Sequence, residues 1–186
     1  MKLFWDKTNL QDESWKVYTC VKQSSIPNAG LGRFSLDVIP KDTVIRKQNV
    51  TTVEDFLLCK DVHQKTSCVI TFENLDQIDH LVNILHENNE TISLDEIKMK
   101  LTWFFAGNQH LSPYMSTFSG YLNHNVNNNV SSRIIEENDK VYLEQYASKY
   151  IEINDELYTN YQNLVFPQYY YDWCKANNQS VVTEYL

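Results

Sequence analysis

The sequence predicts an α+β chain that is mainly β, built from several small sheets with a helical insert. Two features predict this. Apolar residues towards both ends come in short runs interrupted by Pro, Gly and Asn, the pattern of brief strands joined by turns. In the middle they recur instead at three- and four-residue steps, the period of a helix with one buried face. A third observation sets the number of domains: 186 residues suffice for one hydrophobic core, and no linker divides them. A single domain over 1–186 is expected, with a core at about 17–161, the insert at about 75–107 and an aromatic segment at 162–186.

Lys16–Lys22 (KVYTCVK) alternates loosely and reads as a strand. Ser24–Gly32 follows, a turn segment containing Pro27, Asn28, Gly30 and Gly32. Arg33–Leu36 and Thr43–Lys47 read as short strands around a Pro40–Asp42 turn. Leu75, Ile78, Leu81, Val82 and Leu85 place one stripe on a helix over 75–87, ended by Asn88 and Asn89. A second helix opens at Ser93, whose spacing to Glu96 is that of a capping box. Its stripe is Ile97, Leu101, Phe104 and Phe105, and Gly107-Asn108 is a fitting stop. Both stripes are read as core packing. Beyond Ser112-Pro113, the stretch Ser119–Ser132 is crowded with asparagine. It reads either as a low-complexity linker or, because Tyr121, Leu122, Val126 and Val130 punctuate it, as structured chain. Val141–Tyr146 and Tyr150–Ile153 have β character, and Pro167 sits near the start of a helix carrying Tyr169, Tyr170, Tyr171 and Trp173.

Composition excludes several function classes. Net charge is −8 with no Lys/Arg run, which disfavours direct nucleic-acid binding and suits a basic protein partner. Cys20, Cys59, Cys68 and Cys174 are scattered without a CxxC pair, as reduced thiols of the cytoplasm or nucleus are. The first fifteen residues lack the apolar core of a signal peptide, and no run reaches the roughly 18 apolar residues of a membrane span. An intracellular, non-secreted protein without membrane contact is expected. His63, His80, His86 and His110 lack metal-ligand spacing, and neither His-Glu-x-x-His nor Gly-x-Ser-x-Gly occurs. No metal is expected. Twelve tyrosines fit a polar, aromatic-lined cleft, although an A/T-rich coding sequence would enrich tyrosine too.

Three separated segments carry the chemistry. The first is Asn28-Ala29-Gly30-Leu31-Gly32-Arg33-Phe34, where the glycines let backbone approach a ligand closely. It lacks the third glycine of a dinucleotide fingerprint and the Gly-Lys-Ser/Thr of a phosphate loop. The second is Tyr121-Leu122-Asn123-His124 with Asn125–Asn129 behind it, and the third is Ile151–Tyr161 (IEINDELYTNY). In this order and spacing they resemble the SET domain of protein lysine methyltransferases. That family has a glycine-containing turn after its first strand, then Asn-His-Ser-Cys-x-Pro-Asn, then Gly-Glu-Glu-Leu-Thr-x-Asp-Tyr. Gly30–Ile45 also looks like the family's opening, and the resemblance spans roughly Val17 to Tyr161.

The resemblance implies a SET-type fold with a knot-like threading of the second segment past the third. It implies S-adenosyl-L-methionine as cofactor, S-adenosyl-L-homocysteine as product, and a lysine-containing protein or peptide as substrate. The backbone of Gly30, Leu31, Gly32 and Arg33 would contact the methionyl part of the cofactor. Asn123 would hydrogen-bond its amino acid moiety, and the His124 backbone would hold adenine. Tyr161 matches the active-site tyrosine. Tyr121, Tyr158, Thr159, Tyr169 and Trp173 would line the substrate channel. Departures are equally visible: Asn125 and Val126 replace Ser and Cys, Asn128 replaces Pro, and Asn154-Asp155 stands for Gly-Glu. Tyr158-Thr159-Asn160 stands for Thr, an aromatic and Asp, and Thr159 falls where the family commonly has a bulky ring. No three-cysteine cluster follows Tyr161, so a zinc-binding post-SET module is not expected. A SET-fold peptide-binding module with weak or no turnover is the alternative these departures leave open.

Overall fold

The computed structural model describes residues 12–59, 68–89, 91–108, 111, 113–117 and 120–181. His63, His110, Ser112 and Ser119, which figured in the sequence reading, lie outside them. The chain divides into two compact units, each drawn from separated stretches. One takes the described residues of Thr51–Phe118 and Asn163–Leu186, the other those of Lys7–Val50 and Ser119–Gln162.

The second unit is almost entirely β. Strands β1 (Thr19–Gln23) and β2 (Leu31–Ser35) form an antiparallel hairpin in the register Val21 to Arg33. Its turn needs left-handed backbone at Asn28 (φ 64°) and Gly30 (φ 71°), residue types that adopt it at least cost. Strands β3 (Val44–Thr52), β8 (Val130–Glu137) and β9 (Lys140–Ala147) lie in the order β3-β9-β8, all antiparallel. β7 (Asn123–His124) and β10 (Tyr158–Thr159) make a two-stranded parallel pair. The small apolar core beneath comprises Trp15, Ile39, Ile45, Leu122, Val130, Ala147, Ile151 and Leu157.

β8 is a strand that the sequence reading lacked. It is joined to β9 by Asn138-Asp139 at φ 51° and 59°, the paired left-handed residues of a tight hairpin. Tyr150–Ile153, expected to have β character, supplies only a single bridge, Ile151 to Ile39. The asparagine run is structured chain rather than linker. Asn125 Oδ1 accepts from Asn127 N–H at 2.8 Å, and Asn128 Nδ2 donates to the Val130 carbonyl at 2.7 Å.

The other unit holds α1 (Val53–Leu58), α2 (Leu75–Glu87), α3 (Leu94–Thr102) and α4 (Gln168–Ala176) with β4 (Cys68–Thr71), β5 (Phe105–Ala106) and β6 (Tyr114–Ser116). α2 keeps the expected bounds. Asn74 caps it by accepting from Gln77 N–H at 3.1 Å, and Ile78, Leu81, Val82 and Leu85 are buried. Ser93 caps α3 through Glu96 N–H at 3.2 Å, but the helix ends earlier than its stripe suggested. Phe105 belongs to β5, paired with Met115, and Gly107 lies beyond the helix altogether. All four cysteines are free. Among the described residues no helix is long and apolar enough to cross a membrane, and no His/Cys/Asp/Glu group could hold a metal ion.

Candidate functional site

Strand β2 brings the three sequence segments together. The Arg33 N–H donates to the Tyr121 carbonyl at 3.0 Å, and the Arg33 carbonyl accepts from Leu157 N–H at 2.7 Å. One residue thus carries the second segment on one backbone group and the third on the other. Phe34 bridges Glu156, and Ser35 N–H donates to the Asp155 carbonyl at 2.9 Å. The second and third segments meet directly as well, with Asn123 opposite Tyr158 and His124 opposite Thr159. Asn129, buried behind them, donates to the Glu156 carbonyl at 2.8 Å and accepts from Tyr158 N–H at 2.7 Å.

Glu156 is the hub of the polar site. Its carboxylate accepts from Ser24 Oγ, Ser25 N and Ser25 Oγ, each at 2.7 Å, from Asn123 Nδ2 at 2.9 Å and from Tyr158 Oη at 3.1 Å. Burial by itself would raise this carboxyl. The hydrogen bonds from Ser25, Ser24 and Asn123 outweigh burial and hold it below its ordinary value, so it is ionised at neutral pH. Gly32 is what admits it: a Cβ at that position would overlap Glu156 Oε1. Nothing in composition distinguishes Glu156 from Glu152 or Asp155, and the sequence reading gave it no role. It stands at the second Glu of the third motif, and its pairing with a glycine in another segment is a spatial signal.

The hub fixes Asn123. Its Nδ2 donates to Glu156, to Ser24 Oγ at 3.0 Å and to the Leu31 carbonyl at 3.1 Å. An amide nitrogen engaged this way leaves Oδ1 as the group Asn123 can offer a ligand, as an acceptor. Gly30 has open space where a side chain would stand. Arg33 is different from its glycine neighbours. Its guanidinium is buried, donating to Thr19 Oγ1 at 2.7 Å and the Gly120 carbonyl at 2.9 Å while lying 3.9 Å from the Trp15 ring centroid. Burial lowers its pKa to about 10. With both backbone groups also engaged, Arg33 holds the segments together.

Tyr161 is anchored to the two residues that flank Asn123. Its hydroxyl donates to the Leu122 carbonyl at 2.8 Å, and its N–H donates to His124 Nδ1 at 2.9 Å. That bond makes Nδ1 the acceptor, so the His124 ring carries its proton on Nε2. Burial pushes the Tyr161 hydroxyl up to about 12, which keeps it protonated at any working pH. Tyr121, just upstream, has a left-handed backbone (φ 52°), strained for a bulky residue and held by the bond from Arg33. Tyr158 sits with the glycine turn, its hydroxyl 2.6 Å from Ser25 Oγ, and burial raises its pKa. The Thr159 carbonyl accepts from Asn125 N–H at 3.0 Å. Tyr169 and Trp173 belong to the helical unit. There Tyr169 donates to the Phe72 carbonyl at 2.6 Å, and Trp173, 2% exposed, donates to Asp79 Oδ1 at 2.6 Å.

A family model, the SET domain, matches residues 30–162, a span holding the second and third segments and the first from Gly30 onward. The chain belongs to the SET-domain family. This SET chain is similar in fold to ctPRC2 in an autoinhibited conformation bound to S-adenosylmethionine, with a TM-score of 0.52 and 16% identity. That match covers 87% of this chain and 17% of the other. It is similar also to Chaetomium thermophilum Polycomb Repressive Complex 2 bound to GSK126, with a TM-score of 0.50 and 15% identity over 86% of this chain and 17% of that one. At such identities the likeness is one of fold, and the SET chain spans only about a sixth of each of these two chains. No curated protein matches it. The SET fold of small sheets expected from the three motifs is the fold found.

Proposed function

We propose that this SET domain is a protein lysine N-methyltransferase that uses S-adenosylmethionine. The observation that carries the proposal is the Tyr161 hydroxyl on the Leu122 carbonyl, immediately beside the amide of Asn123 that faces the glycine turn. The hydroxyl of the methyl-accepting position and the donor-binding amide thus meet at the neighbouring residues Leu122 and Asn123. The cofactor, when bound, supplies an activated methyl group on a sulfonium.

The residues fit such a cofactor. With its Nδ2 engaged, Asn123 has Oδ1 left to accept from the ammonium, and the bare backbone around Gly30 gives the methionyl part room. In a parallel pair, backbone groups of successive residues alternate in direction, and Asn125 N–H already serves β10. The His124 N–H and carbonyl therefore turn to the opposite side, a donor and acceptor suited to an adenine edge. Arg33 serves as scaffold to this pocket.

Tyr161 then acts as a positioning hydroxyl. Its proton is committed to Leu122, so its oxygen presents lone pairs to an incoming amine. A pKa of about 12 rules it out as the base. Free lysine has a pKa of about 10.4, and both desolvation among tyrosines and a nearby positive charge favour the neutral amine, its proton passing to solvent. Rate then comes from alignment in a dry site. Tyr121 and Thr159 flank the channel, and the small Thr159 leaves room for more than one methyl. Trp173 and Tyr169 act as packing residues, as their contacts support. The −8 charge suits a lysine-rich substrate, and the free thiols suit a reducing compartment.

The departures from the family's second motif fall on the turn: Asn125 and Asn128 make local turn bonds and lie outside the hub. This favours turnover over a binding-only module. Incubation with labelled donor and lysine-rich polypeptides, followed by mass spectrometry, tests the proposal. Methylated lysine is the expected result. Donor binding without transfer would leave the binding module, and absence of donor binding would reject both.

A further inference from the structure

We infer that Glu156 sets the preference of this pocket for the charged methyl donor over its neutral product, an inference that rests on the reading above. Glu156 is 4% exposed, and every group that donates to its carboxylate is neutral: two serines, one backbone N–H, an amide and a phenol. No ion pair among the described residues includes it. Dipoles stabilise a buried charge without cancelling its field, so the field remains for a ligand to answer. On the cofactor reading, that field adjoins the methionyl-binding turn. Glu156 lies against the bare backbone of Gly32 and holds the amide of Asn123, which also reaches the Leu31 carbonyl. The neighbouring Asp155 does not share the task, its carboxylate accepting from Glu152 N–H at an exposed position.

S-adenosylmethionine and S-adenosylhomocysteine carry the same adenosine, ammonium and carboxylate. They differ by one methyl group and by the positive charge on sulfur. Hydrogen bonds from Asn123 or the glycine backbone cannot sense that charge strongly; a fixed carboxylate can. The same charge that retains the donor ceases to hold the product once the methyl has left.

Calorimetric titration of wild type and Glu156→Gln with both ligands reads the effect. Wild type binding neither ligand would overturn the cofactor reading, and this inference with it. Where wild type binds both, Glu156→Gln should weaken S-adenosylmethionine by roughly tenfold more than S-adenosylhomocysteine. Equal weakening of the two, or none, overturns the inference and leaves methyl transfer standing. The new amide would face the donors of Ser25 and Asn123, so thermal unfolding checks that the variant folds. If it does not, Ser25→Ala carries the test. Losing that hydroxyl removes one bond to the ionised carboxylate, so on acidification the preference for donor should fade at a higher pH than in wild type. A preference that ignores pH in both proteins overturns the inference.

Discussion

In the helical unit the interior is hydrocarbon and ring. Leu81, Leu85, Ile97 and Leu101 are fully buried between α2 and α3, and Phe105 packs 5.1 Å from Tyr170 and 6.0 Å from Trp173, centroid to centroid. Its buried polar residues, among those described, are Thr102 and Thr117. In the β unit the interior includes Arg33, Arg46, Glu144, Glu156, Asn129 and Gln48. The first interior is non-directional and tolerates exchange of one apolar side chain for another of similar volume. The second depends on each partner, because a buried polar group deprived of its bond costs more than the bond contributed. The site lies in the unit that has given up tolerance for definition.

The largest effect should follow from the least disruptive change in the β unit. Tyr161→Phe removes only the hydroxyl on the Leu122 carbonyl, yet methyl transfer should fall roughly 10³-fold, about 4 kcal/mol of barrier. Cofactor affinity, read by calorimetry, should stay nearly unchanged. Turnover equal to wild type would remove Tyr161 from its assigned role and make the two units alike in tolerance. Next comes Gly32→Ala. The added methyl displaces a carboxylate held by five donors, so urea unfolding should show a loss of about 3 kcal/mol, with cofactor binding abolished.

The same hub predicts an acid response. Glu156 is held below its unfolded value of about 4.3. A depressed carboxyl contributes stability that is fully present above that value and is lost as pH falls through the lower folded one. Stability of wild type should therefore fall below about pH 4.3, and Gly32→Ala, its hub already open, should show a shallower fall in the same acid titration. Parallel profiles would mean that the carboxylate is indifferent to its partners.

These contrasts also explain what the sequence disclosed. α2 was legible because its period and its Asn88-Asn89 stop are local, while its Asn74 cap emerges from the structure. The end of α3 was not, because Phe104 and Phe105 continue its apolar spacing while Phe105 pairs with Met115, a partner no periodicity reveals. Thr102 Oγ1 bonding back to the Met99 carbonyl at 2.6 Å marks where the helix gives way. β8 carried a readable hairpin signal in Asn138-Asp139, obscured by its charged and hydroxyl side chains. In the candidate site, motif order singled out Gly30, Asn123 and Tyr161, and the structure brings the segments that carry them together. Glu156 stood in the third motif without a role, since its meaning depends on the absent side chain of Gly32.

In the helical unit, Leu81→Ala should cost about 3 kcal/mol through lost burial and a residual cavity. Unlike Gly32→Ala, it should leave the slope of stability against acid pH unchanged, since Leu81 is fully buried in an apolar interior away from the Glu156 hub's hydrogen bonds. Leu81→Met should recover most of the loss, measured by the same urea titration. A failure to recover would show that the apolar unit is as exacting as the polar one.

The smallest effect isolates a single polar bond where solvent is available. Ser93 Oγ accepts from Glu96 N–H at the exposed start of α3. Ser93→Ala frees that N–H to water instead of burying it unpaired, so the loss should be only about 1 kcal/mol by urea unfolding. Ser93→Asp should match or exceed wild type, because a carboxylate at the same position caps the N–H and meets the positive end of the helix. A serine bond is therefore worth little at the tip of α3 and far more at Ser25, where its acceptor is buried. Should Ser25→Ala and Ser93→Ala cost the same, burial would not be what distinguishes the two units.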